Sequence, residues 1–147
     1  MMAERGRRLY QPAHFLFGVD KIMGKITAVI IDDDGVLRSL TSAILRNADI
    51  EVVGEATQAD TGLKLCLGHH PRLVILDINL PNDASGMDLL PEILSMEPAP
   101  KVIMVTGDAT LERVRTCLQL GAAGFVVKPF TPAKLLDAVG RALGLIV

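Results

Sequence analysis

The sequence predicts a doubly wound α/β fold, a parallel sheet covered by helices on both faces. Three observations carry this expectation. Five short apolar runs recur, at residues 27–31, 50–54, 73–76, 102–105 and 124–127. Each is followed by a stretch whose apolar residues repeat at helical spacing. Almost every run ends in a polar group that packing does not require. Strands alternating with helices imply parallel pairing and right-handed crossovers, and strands buried on both faces read as continuous Val and Ile.

The first run sits in Val29-Ile30-Ile31-Asp32-Asp33-Asp34-Gly35 and ends abruptly in three carboxylates. Adjacent like charges raise the cost of ionising one another, so something cationic is expected there. A hard divalent ion such as Mg²⁺, which takes oxygen ligands and accompanies phosphate, is the simplest candidate. The plainer alternative, that one or two of these acids cap the next helix, stays open at this point. That helix shows Leu37, Leu40 and Ile44 at helical spacing. The second run leads to Ala59, Leu63, Cys66 and Leu67, with Thr57-Gln58-Ala59-Asp60 resembling a capping box in which Asp replaces Glu. The third leads to a helix opened in the same way by Ser85-Gly86-Met87-Asp88. Pro91 falls in its second turn, so that helix is expected to be kinked or to begin late. The fourth leads to Leu111, Val114 and Leu118. The fifth leads to Leu135, Leu136, Val139 and Leu143, with Pro132 at the first helical position after Thr131.

At 147 residues the chain suits one domain with a full core. Half of it is apolar, only 3% is aromatic and there is no Trp, which leaves few stacking platforms for single-stranded nucleic acid. A net charge of −2 gives no general pull toward DNA or an anionic membrane, so neither is an expected partner. Cys66 and Cys117 lie in helical stretches without CxxC spacing and read as buried thiols of a reducing compartment. His69 and His70 near a helix end suit its dipole, and as a zinc pair they lack further ligands. No apolar run approaches the roughly 18 residues of a membrane span, and Phe15-Leu16-Phe17 is too short for a signal segment, so a cytoplasmic location is expected. Residues 1–24 hold no lasting period and read as a flexible N-terminal extension. Arg5, Arg7 and Arg8 leave a short basic anchor as the alternative, and Met23 is a second candidate start.

The first run ends in Asp32 and Asp33, the third in Asp77, the fourth in Thr106 and the fifth in Lys128 followed by Pro129; only the second brings no such group. In an open parallel sheet the ligand site lies beyond the carboxyl ends of the strands, where strand order reverses. With order 2-1-3-4-5 that point falls between the first and third strands, and Asp32, Asp33 and Asp77 converge there, flanked by Thr106 and Lys128. Three carboxylates can hold a divalent cation, and one of them can attack a phosphoryl group, because a carboxylate is a competent nucleophile for an acyl phosphate. Lys128 offers a point charge to phosphoryl oxygens and the Thr106 hydroxyl a hydrogen bond.

These residues closely resemble the receiver domain of bacterial response regulators over about residues 25–147. The match rests on Ile31-Asp32-Asp33-Asp34 with Arg38 five residues beyond Asp33, on Val74-Ile75-Leu76-Asp77-Ile78-Asn79-Leu80-Pro81, on Val105-Thr106-Gly107 and on Phe125-Val126-Val127-Lys128-Pro129-Phe130. The resemblance implies a flavodoxin-like (βα)5 three-layer sandwich, and an Asp77 that accepts phosphate from a histidine kinase or phosphotransfer protein. It implies Mg²⁺ held by Asp32, Asp33, Asp77 and the Asn79 backbone carbonyl, and Thr106 and Lys128 reading the phosphoryl group. It also implies a cis bond before Pro129 and a switch in which Thr106 moves and Phe125 turns inward. The output face would comprise the helix near 110–120, the strand 124–127 and the helix near 131–143, binding a downstream protein or a second copy of the chain. One departure stands out: Asp77 to Gly86 takes nine residues, one more than the family's usual eight.

Two rival readings remain at this level. Asp32-Asp33-Asp34-Gly35-Val36-Leu37 also resembles the DxDGxL signature of haloacid-dehalogenase-like phosphatases, with Asp32 as nucleophile and Asp34, two residues on, as the acid/base. That reading leaves Asp77 unexplained and finds no later acidic pair. The other is a receiver acting only as a binding scaffold, although none of the residues needed for phosphorylation is missing. The reading favoured is a stand-alone receiver without a turnover activity beyond its own phosphorylation and dephosphorylation; a piece of a longer regulator is the alternative.

Overall fold

The computed structural model describes residues 25–145, so the expectations for residues 1–24 and for Ile146 and Val147 lie outside the described residues. Five strands, β1 (Thr27–Ile31), β2 (Glu51–Ala56), β3 (Leu73–Asp77), β4 (Lys101–Thr106) and β5 (Gly124–Val127), alternate with five helices. The helices are α1 (Gly35–Asn47), α2 (Ala59–His69), α3 (Gly86–Leu94), α4 (Leu111–Gln119) and α5 (Pro132–Ala142). All neighbouring strands pair in parallel, in the order β2-β1-β3-β4-β5.

Side-chain alternation along each strand divides the core in two. Ala28 and Ile30 of β1 point to one face, where Ile44 and Leu45 of α1 and Leu135 and Val139 of α5 cover them. Val29 and Ile31 point to the other, beneath Cys66 of α2, Leu90 and Ile93 of α3 and Cys117 of α4. Both cysteines are buried and unbridged, as expected, and burial pushes the Cys66 thiol up to about 11. Crossing from α1 on one face to α2 on the other reverses the direction in which strands are added. That places a crevice between the carboxyl ends of β1 and β3.

Most helix starts follow from local chemistry. Asp34, Ser85, Thr110 and Thr131 each take the N-cap position and accept a main-chain N–H from the first turn, at 3.1, 3.1, 3.1 and 3.2 Å. Thr57 does not. The cap of α2 is Gln58, without a side-chain cap bond, because the helix begins at Ala59 and leaves Thr57 one residue too far back. Pro91 lies inside α3, which begins directly after its Ser85 cap rather than late. At the other end of α2, His70 adopts the left-handed cap conformation (φ 47°) and donates its N–H to the Cys66 carbonyl.

Strands β1 and β5 keep their expected bounds. Strand β2 runs two residues beyond its expected end, since its pairing with β1 shifts register between Ala28 and Val29 and continues to Ala56. The apolar stripe of α4 is a correction of another kind. Leu111 and Leu118 are 66% and 49% exposed, and the residue that α4 buries is Cys117. At the edge of the sheet this helix commits one side chain fully to the core, and Leu111 and Leu118 face outward. No helix among the described residues is long and apolar enough to cross a membrane.

Candidate functional site

The crevice is built from the strand ends inward. Beyond Ile31 the chain leaves the sheet, but the Asp32 N–H still donates to the Ala56 carbonyl at 3.0 Å. The Asp32 carboxylate accepts the Asp34 N–H at 2.9 Å. Asp34 itself is turned away, its carboxylate engaged with the Leu37 N–H at the start of α1. The three consecutive acids therefore divide: Asp34 caps the helix, and Asp32 and Asp33 remain at the crevice. The phosphatase reading needs Asp34 as its second catalytic acid, and that carboxylate is committed to the cap.

Asp77 closes β3 and is 4% exposed. Carboxylate oxygens of Asp32, Asp33 and Asp77 all lie within 4.8 Å of one another, Asp32 and Asp77 buried and Asp33 exposed. From the end of β5, Lys128 Nζ donates to Asp77 Oδ2 at 2.9 Å and lies 3.3 Å from Asp32 Oδ2. Burial pushes the Asp77 carboxyl up to about 6, reinforced by the charge of Asp32 and opposed by Lys128 and the Asn79 N–H. Burial alone would lower the Lys128 ammonium; hydrogen bonds and charges from Asp77 and Asp32 outweigh it and hold that group above its usual range. A hard dication fits this donor set, since oxygen ligands of net negative charge sit together with one exposed member facing water.

The loop after Asp77 explains how a further oxygen is kept available. Asn79 and Ser85 form an isolated antiparallel bridge, flanked by the bonds from Gly86 N to Ile78 O (2.7 Å) and from Leu80 N to Ala84 O (3.2 Å). The main-chain groups of Asn79 are not used by this small ladder. Its N–H donates to Asp77 Oδ1 at 3.3 Å, and its carbonyl accepts no hydrogen bond among the described residues. Asn82 and Asp83 form the tip with φ of 62° and 57°, a left-handed pair that Asn and Asp tolerate better than other side chains. The loop turns at this tip, outside the rungs.

Thr106 is fully buried at the end of β4. Its hydroxyl oxygen accepts the Asp108 N–H at 3.2 Å, and its carbonyl accepts the Lys128 N–H at 2.8 Å. The Lys128–Pro129 bond is cis, as the resemblance implied. Phe125 lies opposite Met104 in the β4–β5 register and packs, half-buried, against the core on the α2–α3–α4 face.

Two roles were not read from the sequence. A Cβ on Gly86 would collide with the Asp77 carbonyl, so α3 starts in direct contact with the backbone of Asp77. Glu55, near the end of β2, corrects the expectation that this strand brings no polar group. It lies 3.4 Å from Arg38 Nε, while Arg38 Nη1 donates to the Asp32 carbonyl at 2.8 Å. The single available signal was an acid one residue before the end of the edge strand.

The fold and the site together define a doubly wound parallel α/β protein with a carboxylate cluster and a lysine at its switch point. The response regulator receiver domain profile matches residues 28–140, and the chain belongs to that family. Phosphorylation and Mg²⁺ binding are typical of it. The chain is 35% identical over 116 residues to Protein CcdB of Bacillus subtilis, covering 79% of this chain and 96% of that protein. It is 31% identical over 119 residues to the chemotaxis protein CheY of Thermotoga maritima, covering 81% and 98%. Among solved structures, the CheX–CheY–BeF3–Mg²⁺ complex of Borrelia burgdorferi superimposes with a TM-score of 0.78 at 25% identity, covering 84% of this chain and 93% of that one.

Proposed function

We propose that this chain is a phosphorylation switch in which Asp77 takes a phosphoryl group from the phosphohistidine of a histidine kinase or phosphotransfer protein. The observation that carries the reading is the Lys128 ammonium, bonded to Asp77 and beside Asp32, within a three-carboxylate cluster. An Asp77 carboxylate oxygen attacks phosphorus, the P–N bond to the donor imidazole breaks, and the imidazole keeps the electron pair and takes up a proton from water. Mg²⁺ on Asp32, Asp33, Asp77 and the Asn79 carbonyl would neutralise the charge of acceptor and phosphoryl group together. Lys128 exchanges its bond to Asp77 for one to a phosphoryl oxygen, and the Thr106 hydroxyl donates to another.

The output follows from the same residues. Drawing Thr106 toward the phosphoryl group vacates space beside β5, and Phe125 turns into it, biasing the α4–β5–α5 face between two packings. Support comes from the surface itself: Leu111, Leu118 and Val127 are exposed, and a concavity of about 480 Å³ is lined by Phe125, Val127, Phe130 and Ala138. A downstream protein or a second copy of the chain binds there in the phosphorylated state. Residues 25–147 constitute the receiver, residues 1–24 its extension, and the setting is the cytoplasm.

Incubation with acetyl phosphate and Mg²⁺, followed by peptide mapping, tests the reading. Label is expected on Asp77 only, absent without Mg²⁺ and absent from Asp77→Asn. Label on Asp32 that persists in Asp77→Asn would overturn it.

A further inference from the structure

Asp32 is held through four different atoms. Its N–H is bound by the Ala56 carbonyl at 3.0 Å, and its Oδ1 takes the Asp34 N–H at 2.9 Å. Its Oδ2 faces Lys128 at 3.3 Å, and its carbonyl takes Arg38 Nη1 at 2.8 Å. The pairings of β1 with β2 and β3 both end at Ile31, so no strand partner is left for that carbonyl on a residue only 5% exposed. Without Arg38 it loses its hydrogen bond, and the segment carrying Asp32 and Asp33 is held by one constraint fewer.

Arg38 does this at an electrostatic cost. Its guanidinium is a fixed positive charge beside a site meant for a dication, and like charges repel strongly where water is partly excluded. Glu55 Oε1 at 3.4 Å from Nε answers that charge. The side chains are 22% and 34% exposed, an accessibility at which an ion pair contributes little to stability. Glu55 therefore matters less for holding the fold than for orienting the guanidinium. The planar guanidinium also serves two acceptors in fixed directions, which an ammonium does not.

We propose that Arg38 and Glu55 are a positioning pair for the cation site: Arg38 fixes the main chain that presents Asp32 and Asp33, and Glu55 holds the Arg38 guanidinium in the orientation that reaches the Asp32 carbonyl. The inference rests on the proposed metal site. Its test is Mg²⁺ titration of the unphosphorylated protein, followed by amide chemical shifts, with thermal melting in chelator as the fold control. Arg38→Met is expected to weaken Mg²⁺ binding about tenfold, the low end of what outer-sphere partners of a metal site contribute. Arg38→Lys, which keeps the charge without the fork, is expected to stay weaker than the parent. Glu55→Gln is expected to melt with the parent yet bind Mg²⁺ about threefold more weakly, and Arg38→Met/Glu55→Gln to bind like Arg38→Met alone, because no guanidinium is left to orient. Asp77 labelling by acetyl phosphate in saturating Mg²⁺ is expected to reach the parent level in Glu55→Gln. A parent that binds Mg²⁺ with all variants within about twofold of it overturns the pairing alone, as does a Glu55→Gln deficit that survives removal of Arg38. A parent that binds no Mg²⁺ overturns the metal-site reading and this inference with it.

Discussion

Removing the charge of Asp77 is expected to make the metal-free protein more stable at neutral pH. The folded carboxyl sits at about 6 against an ordinary value of 3.8, so keeping it ionised in the native state opposes folding. The gap corresponds to about 3 kcal/mol at about 1.4 kcal/mol per tenfold, an upper figure because Lys128 shares the charge. Asp77→Asn keeps the shape and stays neutral, and a gain of about 1 to 3 kcal/mol, or roughly 3 to 10 °C in melting temperature, is expected at pH 7. The sign follows from a raised acid. Its stabilising protonated form is fully present below 3.8 in folded and unfolded chains alike, and its contribution is lost as pH rises through about 6. Parent and variant should therefore converge near pH 3.8 and separate by pH 7, in urea denaturation followed by circular dichroism with chelator present. Added Mg²⁺ should narrow the gap, because only the parent offers all three carboxylates and binding stabilises the native state by mass action. A variant less stable than the parent at pH 7 would mean that the bond to Lys128 outweighs burial, and the reasoning would be refuted.

Two further outcomes follow. Gly86→Ala forces a methyl group against the Asp77 carbonyl, so a loss of about 1 to 3 kcal/mol is expected together with slower acetyl-phosphate labelling; a variant that melts and labels like the parent would show that α3 does not set the position of Asp77. Phe125→Ala is expected to confine the effect of beryllofluoride on amide exchange to the loops around Asp77, whereas in the parent it extends to residues 110–142. Equal spread in both proteins would remove Phe125 from the switch.

The strands were legible because parallel strands buried on both faces must be apolar throughout, and Val29-Ile30-Ile31 and Val74-Ile75-Leu76 have few other uses. The converging acids were legible for the opposite reason, since nothing in core packing calls for Asp32, Asp33 and Asp77 at strand ends. What escaped depends on tertiary neighbours. Leu111 and Leu118 have helical spacing whichever way the stripe faces, and only the position of α4 at the sheet edge turns them outward. Thr57 has good cap chemistry, but β2 and its shifted register carry the chain one residue past it before the helix begins. Glu55 meets Arg38 across elements 17 residues apart in sequence, a distance over which no local pattern speaks. The Asn79–Ser85 bridge escaped because its bonds join two ends of what reads as an irregular loop.

That bridge separates two jobs that a single loop normally shares. Its rungs tie Ile78 to Gly86 and Leu80 to Ala84, so the length of chain beyond Leu80 has no lever on the residues that face the crevice. Drift in sequence or size at the Asn82-Asp83 tip is mechanically decoupled from the geometry of Asp77. The tip thus becomes a place where a lineage can rewrite its outer surface, or an engineer can graft a label or a short recognition peptide, while the acceptor stays where it was.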